Sequence, residues 1–184
     1  MRINCVFSST YSIDPGVDID ELKSVGSTWG SWKSWRSCGT DNVVCHDYGK
    51  AKELLTRNFQ LGCNFYLPRE HFVNLGRPPN VKLYDGEFRQ EVVEIEDIIA
   101  LNLVLKSSDI ILLFGFDLSA HPPVSDRFEQ HRVQNRLGLL RSAIVSDPGV
   151  QWVLVDHPKK IDKAYAEVTN LTCDVMKNVL QLLK

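Results

Sequence analysis

No run of apolar residues in this chain approaches the roughly 20 that a helix needs to cross a bilayer. The first stretch, MRINCVFSSTYS, turns polar too soon to be the apolar core of a signal peptide. Neither sign of charge prevails: 21 lysines and arginines face 23 acids, for a formal net charge of −2. That balance gives the whole molecule no reason to bind nucleic acid or an anionic membrane; either would need a local patch. The familiar catalytic signatures are missing too. There is no Walker A loop, no H-E-x-x-H, no G-x-S-x-G and no kinase motif set. No cofactor is implied. Nor is there an internal repeat, a low-complexity tract or a linker. The 184 residues are therefore expected to form a single domain, 1–184, long enough to bury a full core.

The cysteines lack pairing as well. Cys5, Cys38, Cys45, Cys63 and Cys173 are five in number, scattered, with no C-x-x-C. Three of them sit in apolar, strand-like segments. This usage suits buried, reduced thiols in a cytoplasm, with no disulfide and no metal. A zinc site from Cys38, Cys45 and His46 would lack the usual paired spacing. Nothing local supports Cys38 or Cys45 as a nucleophile.

What the chain does have is alternation. Strand-like runs occur at residues 3–9, 42–47, 63–68, 81–86, 109–117 and 150–157. Helical patterns fall between most of them: Gly49 to Asn58, Arg69 to Leu75, Glu91 to Lys106, Arg127 to Ser146 and Cys173 to Leu183. Strands alternating with helices predict a Rossmann-like three-layer α/β fold, with a mainly parallel sheet of about five or six strands. The run IILLFGF has no polar alternation, which marks a strand buried on both faces.

In such sheets ligands gather outside the carboxyl ends of the strands. Those ends carry Ser8-Ser9-Thr10, His46-Asp47, Asp85, Asp117 and Asp156-His157. Turns need polar residues in any case, yet the two His-Asp neighbours exceed that need. Neighbours on a strand point to opposite faces, so a working acid–base pair would join different strands. His46 with Asp117, or His157 with Asp117, are the candidates. The helix from Arg127 carries Arg127, Arg132, Arg136, Arg141 and His131 against one acid. Its start is expected near the same edge, where Arg127 and His131 suit a phosphate or carboxylate. A solvated basic face is the plainer reading of the rest.

Three of the four tryptophans lie in GSTWGSWKSWRSCGTDN, residues 26–42. Trp29, Trp32 and Trp35 would form one stripe on a helix. Either that stripe covers an edge of the core, or it walls a pocket, with indole faces stacking on a ring while Lys33 and Arg36 hold an anion. Trp29 and Arg36 are the candidates for the second role.

Two resemblances can be stated. SSDIILLFGFDLSAHP resembles the strand–glycine loop of sirtuin-like and thiamine-enzyme nucleotide-binding domains. The first strand, VFSSTYSIDPG, lacks their G-x-G-x-x-G, so no chemistry is carried over. TDNVVCHDYGKAKELL and VQWVLVDHP are similar to small bacteriophage-encoded α/β proteins, which implies a bacterial host cytoplasm. Two functions follow as expectations. One is binding of, or action on, an anionic nucleotide-like or sugar-phosphate ligand through Ser9, Thr10, Trp29, Arg36, Arg127 and His131, with His46 and Asp117 as catalytic groups. The other is a non-catalytic interaction protein that modulates a host factor. The expected partners are thus a small anion, a host protein or a second copy of the chain.

Overall fold

The structure, a computed structural model, describes residues 1–9, 17–57, 62–79, 81–85, 95–118, 126–156, 165 and 168–182. Its centre is an eight-stranded sheet in the order β5-β4-β3-β2-β1-β6-β7-β8. Every strand pair is parallel. The strands are β1 (Ile3–Phe7), β2 (Ser27–Ser31), β3 (Asn42–Val44), β4 (Asn64–Pro68), β5 (Val81–Tyr84), β6 (Ile110–Phe114), β7 (Gln151–Val155) and β8 (Leu171–Asp174). The helices are α1 (Ile19–Val25), α2 (Trp32–Cys38), α3 (Tyr48–Arg57), α4 (Arg69–Asn74), α5 (Ile95–Leu105), α6 (Arg127–Ser146) and α7 (Met176–Leu182). This is the expected Rossmann-like α/β architecture with two more strands than anticipated.

Alternation along each strand splits the core in two. Val6, Val44, Tyr66, Leu113, Trp152 and Leu154 face α5 and α6. On the other face, Cys5, Phe7, Leu112, Phe114 and Val155 meet α1 and α7, while Val43, Cys45, Phe65 and Leu67 meet α3. β6 lies between β1 and β7. Residues Ile111 to Phe114 are completely enclosed, as a run without polar alternation requires. Phe7 and Phe114 stack across the β1–β6 seam with centroids 4.7 Å apart.

Both additional strands come from segments that do not look like strands. β2 is Ser-Thr-Trp-Gly-Ser, with little β-branched or aliphatic content. Its small residues serve close packing. A Cβ on Gly30 would collide with the Ser34 hydroxyl of α2, and one on Gly26 would lie 2.5 Å from the Ile3 carbonyl oxygen of β1. β8, Leu-Thr-Cys-Asp, takes Cys173 out of the expected C-terminal helix, which begins at Met176.

The tryptophans accordingly do not share a helical stripe. Trp29 sits on β2, packs against Tyr66 at 5.0 Å and donates from Nε1 to Asn4 Oδ1 at 3.0 Å. Trp32 and Trp35 lie on α2 and cover the Val43–Phe65 cluster on the opposite face. A strand between β1 and β3 alternates its side chains between faces, and this separates Trp29 from the other two.

Gly26 and Gly138 test this packing in opposite directions. Gly26→Ala meets main chain that cannot step aside and should destabilise the protein by about 1–3 kcal/mol. Gly138 sits inside α6 with open space where a Cβ would go. Gly138→Ala should stabilise by roughly 0.4–1 kcal/mol. Urea unfolding of both variants measures the two signs.

Candidate functional site

The strand order reverses between β1 and β6. β1 connects onward to β2 and β6 to β7, so the switch point of the sheet, beside which ligands bind in the crevice of open α/β sheets, lies at the carboxyl ends of β1 and β6. Ser8 and Ser9 end the first strand. Gly115, at φ 71°, turns the second toward Phe116 and Asp117. In that left-handed region glycine carries no steric penalty.

Helix α5 returns from the β5 edge across β3, β2 and β1, and its first turn carries Glu96 and Asp97. Asp97 is completely buried. Its two carboxylate oxygens accept the Ser9 backbone N–H at 3.1 and 2.9 Å, and Oδ2 accepts the Ser9 hydroxyl at 3.0 Å. Arg136 of α6 donates from Nη2 to the same oxygen at 3.4 Å, with its guanidinium 5.5 Å from the Phe116 ring centroid. One buried acid thus joins β1, α5 and α6 at the crevice.

Glu96 performs the same service two strands along the edge. Its Oε1 accepts the His46 backbone N–H at 2.8 Å, beyond the end of β3. Burial pushes the Glu96 carboxyl up from 4.5 to about 7; the His46 N–H and the charge of Lys33 pull the other way, and the neighbouring charges of Asp97 and Asp47 add to the rise. The His46 carbonyl accepts from His71 Nε2 at 2.8 Å, so that nitrogen carries hydrogen. His71 Nδ1 is enclosed without a partner among the described residues. The His46 ring bonds through Nδ1 to the Tyr84 hydroxyl at 2.8 Å. Burial first, and then the charge of His71, push His46 below its ordinary value, against the pull of Asp47. Tyr84 and Cys45 are pushed up by burial and by Glu96, so both keep their protons. Cys45 is therefore no thiolate nucleophile. All five cysteines are free.

The expected site residues separate. Ser9, His46 and Asp117 lie at carboxyl strand ends, but His46 pairs with Tyr84 rather than with Asp117. Arg127 and His131 are exposed on the first turns of α6. Trp29 is drawn away toward Asn4, itself bonded to Ser108, near the amino end of β6. Arg36 is exposed on α2, 5.9 Å from the ring centroid of Trp32, whose ring also meets Lys50 at 4.5 Å. Trp32 thus occupies the cationic setting expected for Trp29. Thr10 and His157 lie outside the described residues. Glu96, Asp97, Tyr84, His71 and Arg136 were not singled out as site residues. The two acids look like ordinary first-turn acids of a helix, and Tyr84 looks like the last residue of a strand.

Among the described residues no three His, Cys, Asp or Glu side chains come together to hold a metal, and no described helix is long and apolar enough to cross a membrane. Comparison with protein families, curated proteins and solved structures finds no match.

Glu96 titration sets a pH prediction. With the folded pKa raised, the native state holds a proton between pH 4.5 and about 7 that the unfolded chain has released. Stability from this group is therefore present below 4.5 and falls as pH rises to about 7. Glu96→Gln keeps an acceptor for the His46 N–H and never ionises. Relative to wild type it should gain by up to about 3 kcal/mol between pH 4.5 and 7. His46 runs the other way, losing stability as pH falls, but it is common to both proteins and drops out of the difference. Urea melts at pH 4.5, 6 and 7.5 supply the curve; parallel curves would mean that Glu96 binds its proton no more tightly in the folded protein than in the unfolded chain.

Proposed function

We propose that the protein binds an anionic, nucleotide-like or sugar-phosphate ligand across the β1–β6 crevice. The observation that carries this reading is the reversal of strand order there, with α6 standing over it. α6 runs for 20 residues, about 30 Å at 1.5 Å per residue, against five-residue strands β1 and β6. Its buried side chains begin at Arg136; those described before it are exposed or half-exposed. The first turns therefore extend past the sheet as a wall. Arg127 and His131, four residues apart, share a face of that wall. The Asp126 side chain caps the Phe128 N–H at 2.8 Å. Asp97 is already neutralised by Arg136, which lowers the negative charge an incoming anion would meet.

The ligand's charged group would sit against Arg127 and His131. The Ser8–Ser9 end of β1 and Asp117 would address its hydroxyls. With no glycine-rich loop after β1, phosphate contact would fall to side chains rather than to a cradle of backbone N–H groups.

A thermal-shift screen with nucleoside mono-, di- and triphosphates and with sugar phosphates tests the reading. A ligand at 100 times its Kd should stabilise by about 2.7 kcal/mol. Calorimetry with the best hit should then show Arg127→Ala weakening binding by roughly 1.5–3 kcal/mol, the worth of a charge-assisted hydrogen bond, with unfolding unchanged. A screen without hits, or equal affinities, would favour the interaction-protein reading.

A further inference from the structure

His46 is held from three directions by side chains distant in sequence. Glu96 of α5 takes its N–H, His71 of α4 takes its carbonyl, and Tyr84 of β5 takes ring Nδ1, each at 2.8 Å. A residue past the end of a strand needs no such treatment for folding, because its main-chain groups can turn to water. Here both main-chain groups and one ring nitrogen are committed. The ring can neither rotate nor flip without breaking the Tyr84 bond. Only Nε2 remains without a partner among the described residues, and it is not among the enclosed polar atoms. Half-burial keeps the ring open on one side.

The geometry points to His46 Nε2 as the proton-accepting atom of the carboxyl edge, acting on a hydroxyl group of a bound ligand or on a water beside it. The O–H bond breaks, an N–H bond forms at Nε2, and the oxygen keeps the electron pair. This requires the other ring proton to be on Nδ1. Tyr84 provides for that. Its phenol stays protonated, and its oxygen stands 2.8 Å from Nδ1, where it accepts from Nδ1–H. Tyr84 is a positioning residue here, as are His71 and Glu96. Among the described residues two charged groups act on the ring: His71 on α4 opposes the imidazolium and Asp47, at the start of α3, favours it. Tyr48 of α3 meets the edge of His71 at 5.3 Å and carries no charge. With the pKa held below its ordinary value, the imidazole is neutral and ready to accept at pH 7.

The inference rests on the carboxyl edge being a ligand site, but its test needs no ligand, so either can fail alone. Long-range ¹⁵N–¹H correlation spectra of the wild-type protein at pH 7 should show His46 neutral, with hydrogen on Nδ1 and the lone pair on Nε2. Diethyl pyrocarbonate provides the reactivity. The Nε2 lone pair attacks one carbonyl, an N–C bond forms, and the ethyl carbonate that leaves breaks down to carbon dioxide and ethanol. Peptide mapping should find His46 modified at Nε2. Tyr84→Phe keeps the ring in the core and removes the bond to Nδ1. It should slow modification of His46 roughly tenfold, the size of effect seen when an orienting partner is removed, and leave the exposed His131 unchanged. Hydrogen on Nε2 in the wild type, an unmodified His46, or equal rates in Tyr84→Phe would each overturn the assignment.

Discussion

Glu96 and Asp97 stand side by side in the first turn of α5, and each reaches beyond a different strand end. Asp97 holds the chain leaving β1 at Ser9, and Glu96 holds the chain leaving β3 at His46. A strand's ladder ends where its neighbours end, and the next N–H groups must find partners or water. Here two carboxylates provide them from a helix that crosses three strands. The cost of burying Asp97 is met by Arg136 and the Ser9 groups; breaking such a pair from one side costs about 3–5 kcal/mol. The same contacts bind α6 to α5, so the placement of α6 and of the chain leaving β1 is set by one short segment.

This arrangement explains how the two halves of the edge differ. Around Asp97 the charges are matched and fully enclosed, which suits a fixed support beside a crevice. Around Glu96 they are not. A carboxyl that titrates near 7 and a histidine kept below its ordinary value stand next to each other. Groups whose proton affinities are displaced by burial and by specific charged neighbours cluster at functional sites. The rigid half lies at the switch point, and the titrating half lies two strands away.

The fold was readable because its determinants are local. The enclosed run of β6, the 20-residue pattern of α6 and the regular alternation of elements each follow from periodicity. β2 and β8 were not readable. Ser27–Ser31 is a strand because β1 and β3 need a close-packed neighbour, and its glycine and serines meet that need without any β-forming bias of their own. At the site, strand ends were legible as a group: Ser9, His46 and Asp117 all fall there. Partnerships were not. Pairing His46 with Tyr84 depends on β3, β4 and β5 lying in sequence order at one side of the sheet, which fixes a contact over 38 residues. Trp29 was misplaced for the same reason, since its face depends on a strand that its own segment does not announce.

The central claim is that α5 organises the carboxyl edge through two hydrogen bonds to main-chain N–H groups outside the ladder. Native-state hydrogen exchange of the Ser9 and His46 amides tests it most directly. Both should exchange as slowly as amides within β1 and β6. Asp97→Ala should release Ser9, and Glu96→Ala should release His46, each while the β6 amides stay protected. Rapid exchange of Ser9 and His46 in the wild-type protein, at the rate of exposed loop amides, would contradict the account.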